Sequence, residues 1–184
     1  MTALHEVCRL RHSEKGDRAE AYAGELLLQR GYAVPNLNLA RRNTATIDLE
    51  VAGEKEPFHI SVKSCWTPNR QLRLGTPSSL ALLPDTGFVM AFLPRAKGQD
   101  LDLTEGRHTL WIIPGAIARD EALAAHRHYA AHSPGSAGHS VMVKDKVDRT
   151  AATRSGSVFR RWAENFDSAW HLLPAPFADL FPTK

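Results

Sequence analysis

The chain has 184 residues, of which 43% are hydrophobic and 23% charged, and a formal net charge of +3. That is ordinary for a soluble globular protein of one domain with a proper core, or one core and a small appendage, and no apolar run approaches the length of a membrane span. The charge is too slight to argue for nucleic acid unaided. Cys8 and Cys65 form no metal-binding or redox spacing and nothing resembles a signal peptide, so a reducing cytoplasm is the expected compartment.

Residues 13–30 carry the clearest helical pattern. Ala19, Tyr22, Ala23, Leu26, Leu27 and Arg30 recur at helical spacing, Ser13 is the expected N-cap, and Gly31 is placed to end the helix. Glu20 falls on the flank of this apolar stripe. A lone carboxylate early in a helix most often serves the macrodipole or is simply solvated. Residues 32–34 predict a short strand ended by Pro35, followed by a polar loop that contains Arg41 and Arg42.

Residues 44–66 form two alternating arms around a charged connector containing Gly53 and Pro57. Ile47, Leu49 and Val51 share one face of the first arm, with Asp48 and Glu50 on the other. Phe58, Ile60 and Val62 oppose His59, Ser61 and Lys63 in the second. Period-two alternation around a turn-forming connector predicts an antiparallel hairpin. Its polar face would collect two carboxylates and a lysine, residue types depleted in strands. A wet ribbon edge, or a structural pair between Lys63 and Asp48, accounts for them without any chemistry.

Residues 67–77 read as a turn-rich loop bearing Arg70 and Arg73, and residues 78–83 as a short helix. Residues 88–93 are apolar on both faces, as a central strand is. Residues 94–106 read as loop, 109–113 as a second buried strand, and Pro114 opens an alanine-rich helix running to about His132. His128 and His132 stand four apart on it, but no acid accompanies them, and a polar helix end is the better reading than a metal pair. A Pro/Gly/Ser-rich break follows. Residues 141–161 then hold six basic residues against two acids, Asp145 and Asp148, either a nucleic-acid-facing stretch or plain solvated surface. Residues 157–173 predict a C-terminal helix whose aromatic stripe is core packing, after which the chain drapes over the body.

The sequence of a helix with Gly16-Asp-Arg-Ala-Glu20, a strand with Ile47-Asp48-Leu49, and a strand with Ser61-Val62-Lys63-Ser64 resembles the PD-(D/E)xK nuclease superfamily. The resemblance covers roughly the first half of the chain. It implies an α/β fold, a mixed central sheet flanked by helices in the restriction-endonuclease-like manner, in a single domain over 1–184 with its core at about 13–132. It also implies a Mg²⁺- or Mn²⁺-dependent site in which Glu20 and Asp48 hold metal and Lys63 stabilises charge, with Glu50 near enough along the strand to share the ion. Arg41, Arg42, Arg70 and Arg73 would grip the backbone of DNA. Where active members carry an acid or glutamine two residues before the lysine, this chain has Ser61. Two expectations therefore stand side by side: a DNA phosphodiesterase with an atypical site, or an inactive nuclease-fold module binding nucleic acid, RNA included, or a protein.

Overall fold

The structure, a computed structural model, describes residues 11–34, 47–66, 72–96, 98–132, 141–143 and 163–176. Helix α1 spans His12–Gln29. Strands β1 (Leu49–Val51), β2 (Phe58–Ser64) and β3 (Leu72–Gly75) lead to the short helix α2 (Pro77–Ala81). Strands β4 (Phe88–Pro94) and β5 (His108–Pro114), helix α3 (Gly115–His132) and strand β6 (Val141–Val143) complete the regular elements before two 3₁₀ turns.

Two sheets form. The larger is mixed, in the order β1-β2-β4-β5, and β3 pairs with β6 in the smaller. Strands β1 and β2 make the predicted antiparallel hairpin, with Leu49 opposite Ile60 and Glu50 opposite His59. Strand β2 then runs parallel to β4, which the crossover through β3 and α2 permits. Every residue of β4 is buried, because helices cover both faces of the sheet at that point.

The period-two alternation sorts side chains into two cores. Leu49, Ile60, Met90 and Ile112 pack against Ala19, Ala23, Leu26 and Leu27 of α1. Val89, Ala91, Trp111 and Ile113 meet Leu74, Leu80, Ala118 and Ala122 from β3, α2 and α3 on the opposite face. The molecule is thus an α/β layering of helix, mixed sheet and helices. Among the described residues, no helix is long and apolar enough to cross a membrane.

Several boundaries differ from the sequence reading. The cap of α1 is Arg11 in place of Ser13, and the Glu14 carboxylate accepts the Arg11 backbone N–H. Gly31 does end this helix, at a φ of +83° that a side chain would resist. The expected strand at 32–34 reduces to one antiparallel bridge, Ala33 with Ala52. The expected loop at 67–77 contains strand β3, whose partner β6 is too distant in sequence for local patterning to reveal.

The predicted helix over 157–173 is the largest correction. Its described part breaks into 3₁₀ turns at Glu164–Phe166 and Trp170–Leu172. Between them Asp167 bridges Trp111 of the edge strand β5, and Ser168 donates its N–H to the Leu110 carbonyl at 2.7 Å. Ala163 belongs to one core and Ala169 and Leu173 to the other, so this segment turns around the sheet edge. A straight helix would stay on one face and leave the backbone groups of β5 unpaired.

Beyond the turns the segment reaches the hairpin. The Tyr32 hydroxyl donates to the Pro174 carbonyl at 2.8 Å, Glu54 N–H donates to the Ala175 carbonyl, and the Arg30 guanidinium lies 3.7 Å from the Trp170 ring centre. Burial raises the Tyr32 phenol above its ordinary range, with Arg30 opposing. A raised phenol favours the neutral form in the folded state, so this contribution is complete below the unfolded phenol value of about 10 and is lost as pH climbs past it. Tyr32→Phe should cost about 1 kcal/mol at neutral pH. It should also flatten part of the alkaline fall in melting temperature, and an unchanged alkaline slope would place the effect elsewhere.

Candidate active site

The hairpin delivers the polar residues. The Asp48 N–H donates at 3.0 Å to the carbonyl of Ile60, the residue that Leu49 already faces, so Asp48 sits at a bend just before β1 and outside the paired register. That bend brings its carboxylate to Ser61, Val62 and Lys63. The Ser61 and Lys63 side chains emerge on the face covered by α2 and α3.

Three donors converge on one carboxylate oxygen. Asp48 Oδ2 accepts the Val62 N–H at 2.6 Å and the Ser61 hydroxyl at 3.3 Å, and it lies 3.5 Å from Lys63 Nζ. Among the described residues, the other oxygen, Oδ1, has no hydrogen-bond partner. Ser61 is buried, at 3% exposure. The ionic side chains of Lys63 and Asp48 keep 24% and 22% of their surface, so the pair is neither a screened surface pair nor a sealed one. A charge-assisted bond from a main-chain N–H holds the carboxylate more firmly than the lysine does.

Beside Ser61 and Lys63 a hollow of about 210 Å³ opens between β2, β3, α2 and α3. Its polar rim adds Arg73 and Ser79 to Ser61 and Lys63, and its apolar lining includes Leu80, Leu83 and Val89. Gly75 borders it at a φ of +129°, where an added Cβ would stand 2.6 Å from Ser79 Oγ. The absence of a side chain there keeps that wall open. Ser79 is itself placed by the cap of α2: its N–H donates to Thr76 Oγ1 at 3.2 Å and its hydroxyl to the Thr76 carbonyl at 2.9 Å.

Of the arginines expected to meet DNA, Arg73 sits on β3 at the rim of the hollow, on a strand instead of the expected loop. Arg41, Arg42 and Arg70 lie outside the described residues, as does the basic stretch after Val143. Glu50 shares the face of Asp48, as alternation requires, but turns across the hairpin toward His59, with Oε2 3.8 Å from Nε2. The Nδ1 atom of that histidine is buried and has no hydrogen-bond partner among the described residues. Glu20 is half-buried on α1, the helix that packs on the opposite face of the sheet.

Among the described residues, no three His, Cys, Asp or Glu side chains stand close enough to hold a metal ion together. Glu20, Asp48 and Glu50 are therefore not a three-carboxylate cage. One open carboxylate oxygen still fits an ion of the Mg²⁺ type, which commonly takes one or two carboxylates and fills its shell with water and phosphate. Of the histidines of α3, His126 is buried and the side chains of His128 and His132 fall outside the described residues.

Two features escaped the sequence reading. The Glu50–His59 pair was in principle legible, because any hairpin register that opposes Leu49 to Ile60 also opposes Glu50 to His59. The contribution of Ser79 was not, because it depends on the crossover folding back over β2. No protein-family profile, curated protein or solved structure matches this chain.

Proposed function

We propose that the chain is a metal-dependent phosphodiesterase of the PD-(D/E)xK kind, acting on DNA. The observation that carries this reading is the meeting of Asp48 and Lys63 at 3.5 Å beside an open, partly cationic hollow. The order of elements supports a restriction-endonuclease-like fold: a helix with Glu20, a strand edge with Asp48, then a strand with Ser61 and Lys63, in a mixed sheet with helices on both faces.

Asp48 would hold the Mg²⁺ or Mn²⁺ through its open oxygen; Glu20, which the resemblance would make a second carboxylate, is carried by the helix on the opposite face of the sheet, so Asp48 is the one protein ligand this reading uses. When bound, such an ion supplies polarisation of a phosphoryl oxygen and a more acidic water. The chain's own residues do the rest. The Val62 N–H and Ser61 hydroxyl hold Oδ2 and leave Oδ1 without a hydrogen-bond partner among the described residues. Lys63 holds a fixed positive charge where negative charge grows on the phosphoryl and departing oxygens during hydrolysis. Arg73, with no acidic partner among the described residues, anchors a neighbouring phosphate.

A second reading, an inactive module that binds nucleic acid or a protein, draws on one observation. In the position where active members place an acid, Ser61 donates a hydrogen bond to Asp48. Plasmid nicking with Mg²⁺ or Mn²⁺ separates the two. Lys63→Ala should lower the nicking rate by about 10² to 10³, the usual cost of removing one electrostatic stabiliser. Equal background from native protein and variant, with DNA binding retained, would favour the module.

A further inference from the structure

The phosphodiesterase reading needs only a phosphate beside Asp48 and Lys63. It gives no reason for a hollow with an apolar floor next to them. Leu74, Leu80, Leu83, Val89 and Ala118 form that floor, while Lys63 and Arg73 stand at its rim. A sugar–phosphate backbone offers nothing apolar to fill such a space. A nucleobase does, and it is chemically joined to a phosphate that the two cations would attract.

Size decides how much of a nucleic acid can enter. A cavity of about 150 Å³ accommodates one benzene ring. The 210 Å³ here suits one heterocycle with a little room to spare, and is too small for a base pair. Paired and stacked bases of a continuous duplex have no face to offer. Only an unpaired base, at a strand end or in a single strand, can turn away from its neighbours and lie against aliphatic side chains, as bases do in pockets that receive them out of the stack. Ser79 supplies a hydroxyl oxygen near the rim that can accept from its polar edge.

We infer that this hollow receives a single unpaired nucleobase, with its phosphate between Lys63 and Arg73, so that the substrate class is single-stranded DNA or a strand end. The inference rests on the phosphodiesterase reading and narrows it.

Fluorescence anisotropy tests it, with Ca²⁺ replacing Mg²⁺ so that the probe stays whole. Three labelled probes of equal length serve: oligothymidylate, its duplex with oligoadenylate, and a strand of abasic sites. Oligothymidylate should bind about tenfold more tightly than either of the others, the effect of removing roughly 55 Å² of apolar surface from water. Equal affinity for oligothymidylate and the abasic strand overturns the base hollow, and this comparison needs no variant to fold. The phosphodiesterase reading survives that result as long as plasmid nicking persists. No binding to any probe, together with no nicking, removes both.

Discussion

Asp48→Ala should abolish Mg²⁺-dependent plasmid nicking, by about a thousandfold, and should destabilise the protein as well. Both effects follow from one oxygen. Oδ2 receives the Val62 N–H, the Ser61 hydroxyl and the Lys63 ammonium. Removing it strands a main-chain donor and a buried hydroxyl, and leaves a three-quarters-buried ammonium unpaired. Unmet donors cost about 1–3 kcal/mol each, with partial relief from solvent at this depth, so a loss of about 2–4 kcal/mol is expected in urea unfolding. Asp48→Asn separates charge from shape. Its amide oxygen can still accept from Val62 and Ser61, so its stability loss should stay under about 2 kcal/mol while nicking falls as far as in the alanine variant. An asparagine variant with native activity would show that the Asp48 charge takes no part in the chemistry and that its pair with Lys63 is structural.

Ser61→Asp should have the second largest effect, and of a kind no neutral substitution gives. Ser61 Oγ lies 3.3 Å from Asp48 Oδ2 in a buried position. A carboxylate there faces another at close range, and two like charges 4 Å apart repel by about 4 kcal/mol in surroundings of intermediate dielectric. Lys63 offsets part of this, leaving an expected loss of about 2–4 kcal/mol in the presence of a chelator. The same two carboxylates bind a divalent cation better than one. Saturation at a hundredfold over the dissociation constant returns about 2.7 kcal/mol to the folded state. Melting curves with EDTA and with Mg²⁺ should therefore diverge for the Ser61→Asp protein far more than for the native one. Identical Mg²⁺ shifts in both proteins would mean that position 61 does not face the metal.

The two substitutions act on residues whose shared face local alternation already implied. Asp48 and Glu50 on one arm, His59, Ser61 and Lys63 on the other, share a face in any hairpin that buries Leu49, Val51, Phe58 and Ile60 together. What alternation left open was whether that face is wet. It is partly covered: Ser61 is buried where the crossover from β2 to β4 lays β3 and α2 over the sheet, while Asp48 and Lys63 keep about a quarter of their side-chain surface. The same crossover moves Arg73 from an anticipated loop onto a strand at the rim of the hollow. The C-terminal segment erred for a similar reason. Its aromatic spacing fits a helix, yet the edge of β5 offers unpaired backbone groups, and Asp167 and Ser168 leave helical geometry to meet them.

By itself the sequence determined what is short-range: helix α1 and its stop at Gly31, the hairpin, the wholly apolar β4, and the placing of Asp48, Ser61 and Lys63 on the polar face of the two arms. These follow from periods of two and 3.6 residues, which each segment carries alone. Tertiary structure alone decided that helix α1, which bears Glu20, packs on the far face of the sheet from Ser61 and Lys63, that Glu50 turns to His59, and that a hollow lies beside the lysine. Those outcomes depend on which layers close over which face. That choice is made by apolar surfaces distant in the chain and leaves no mark on the spacing of any one segment.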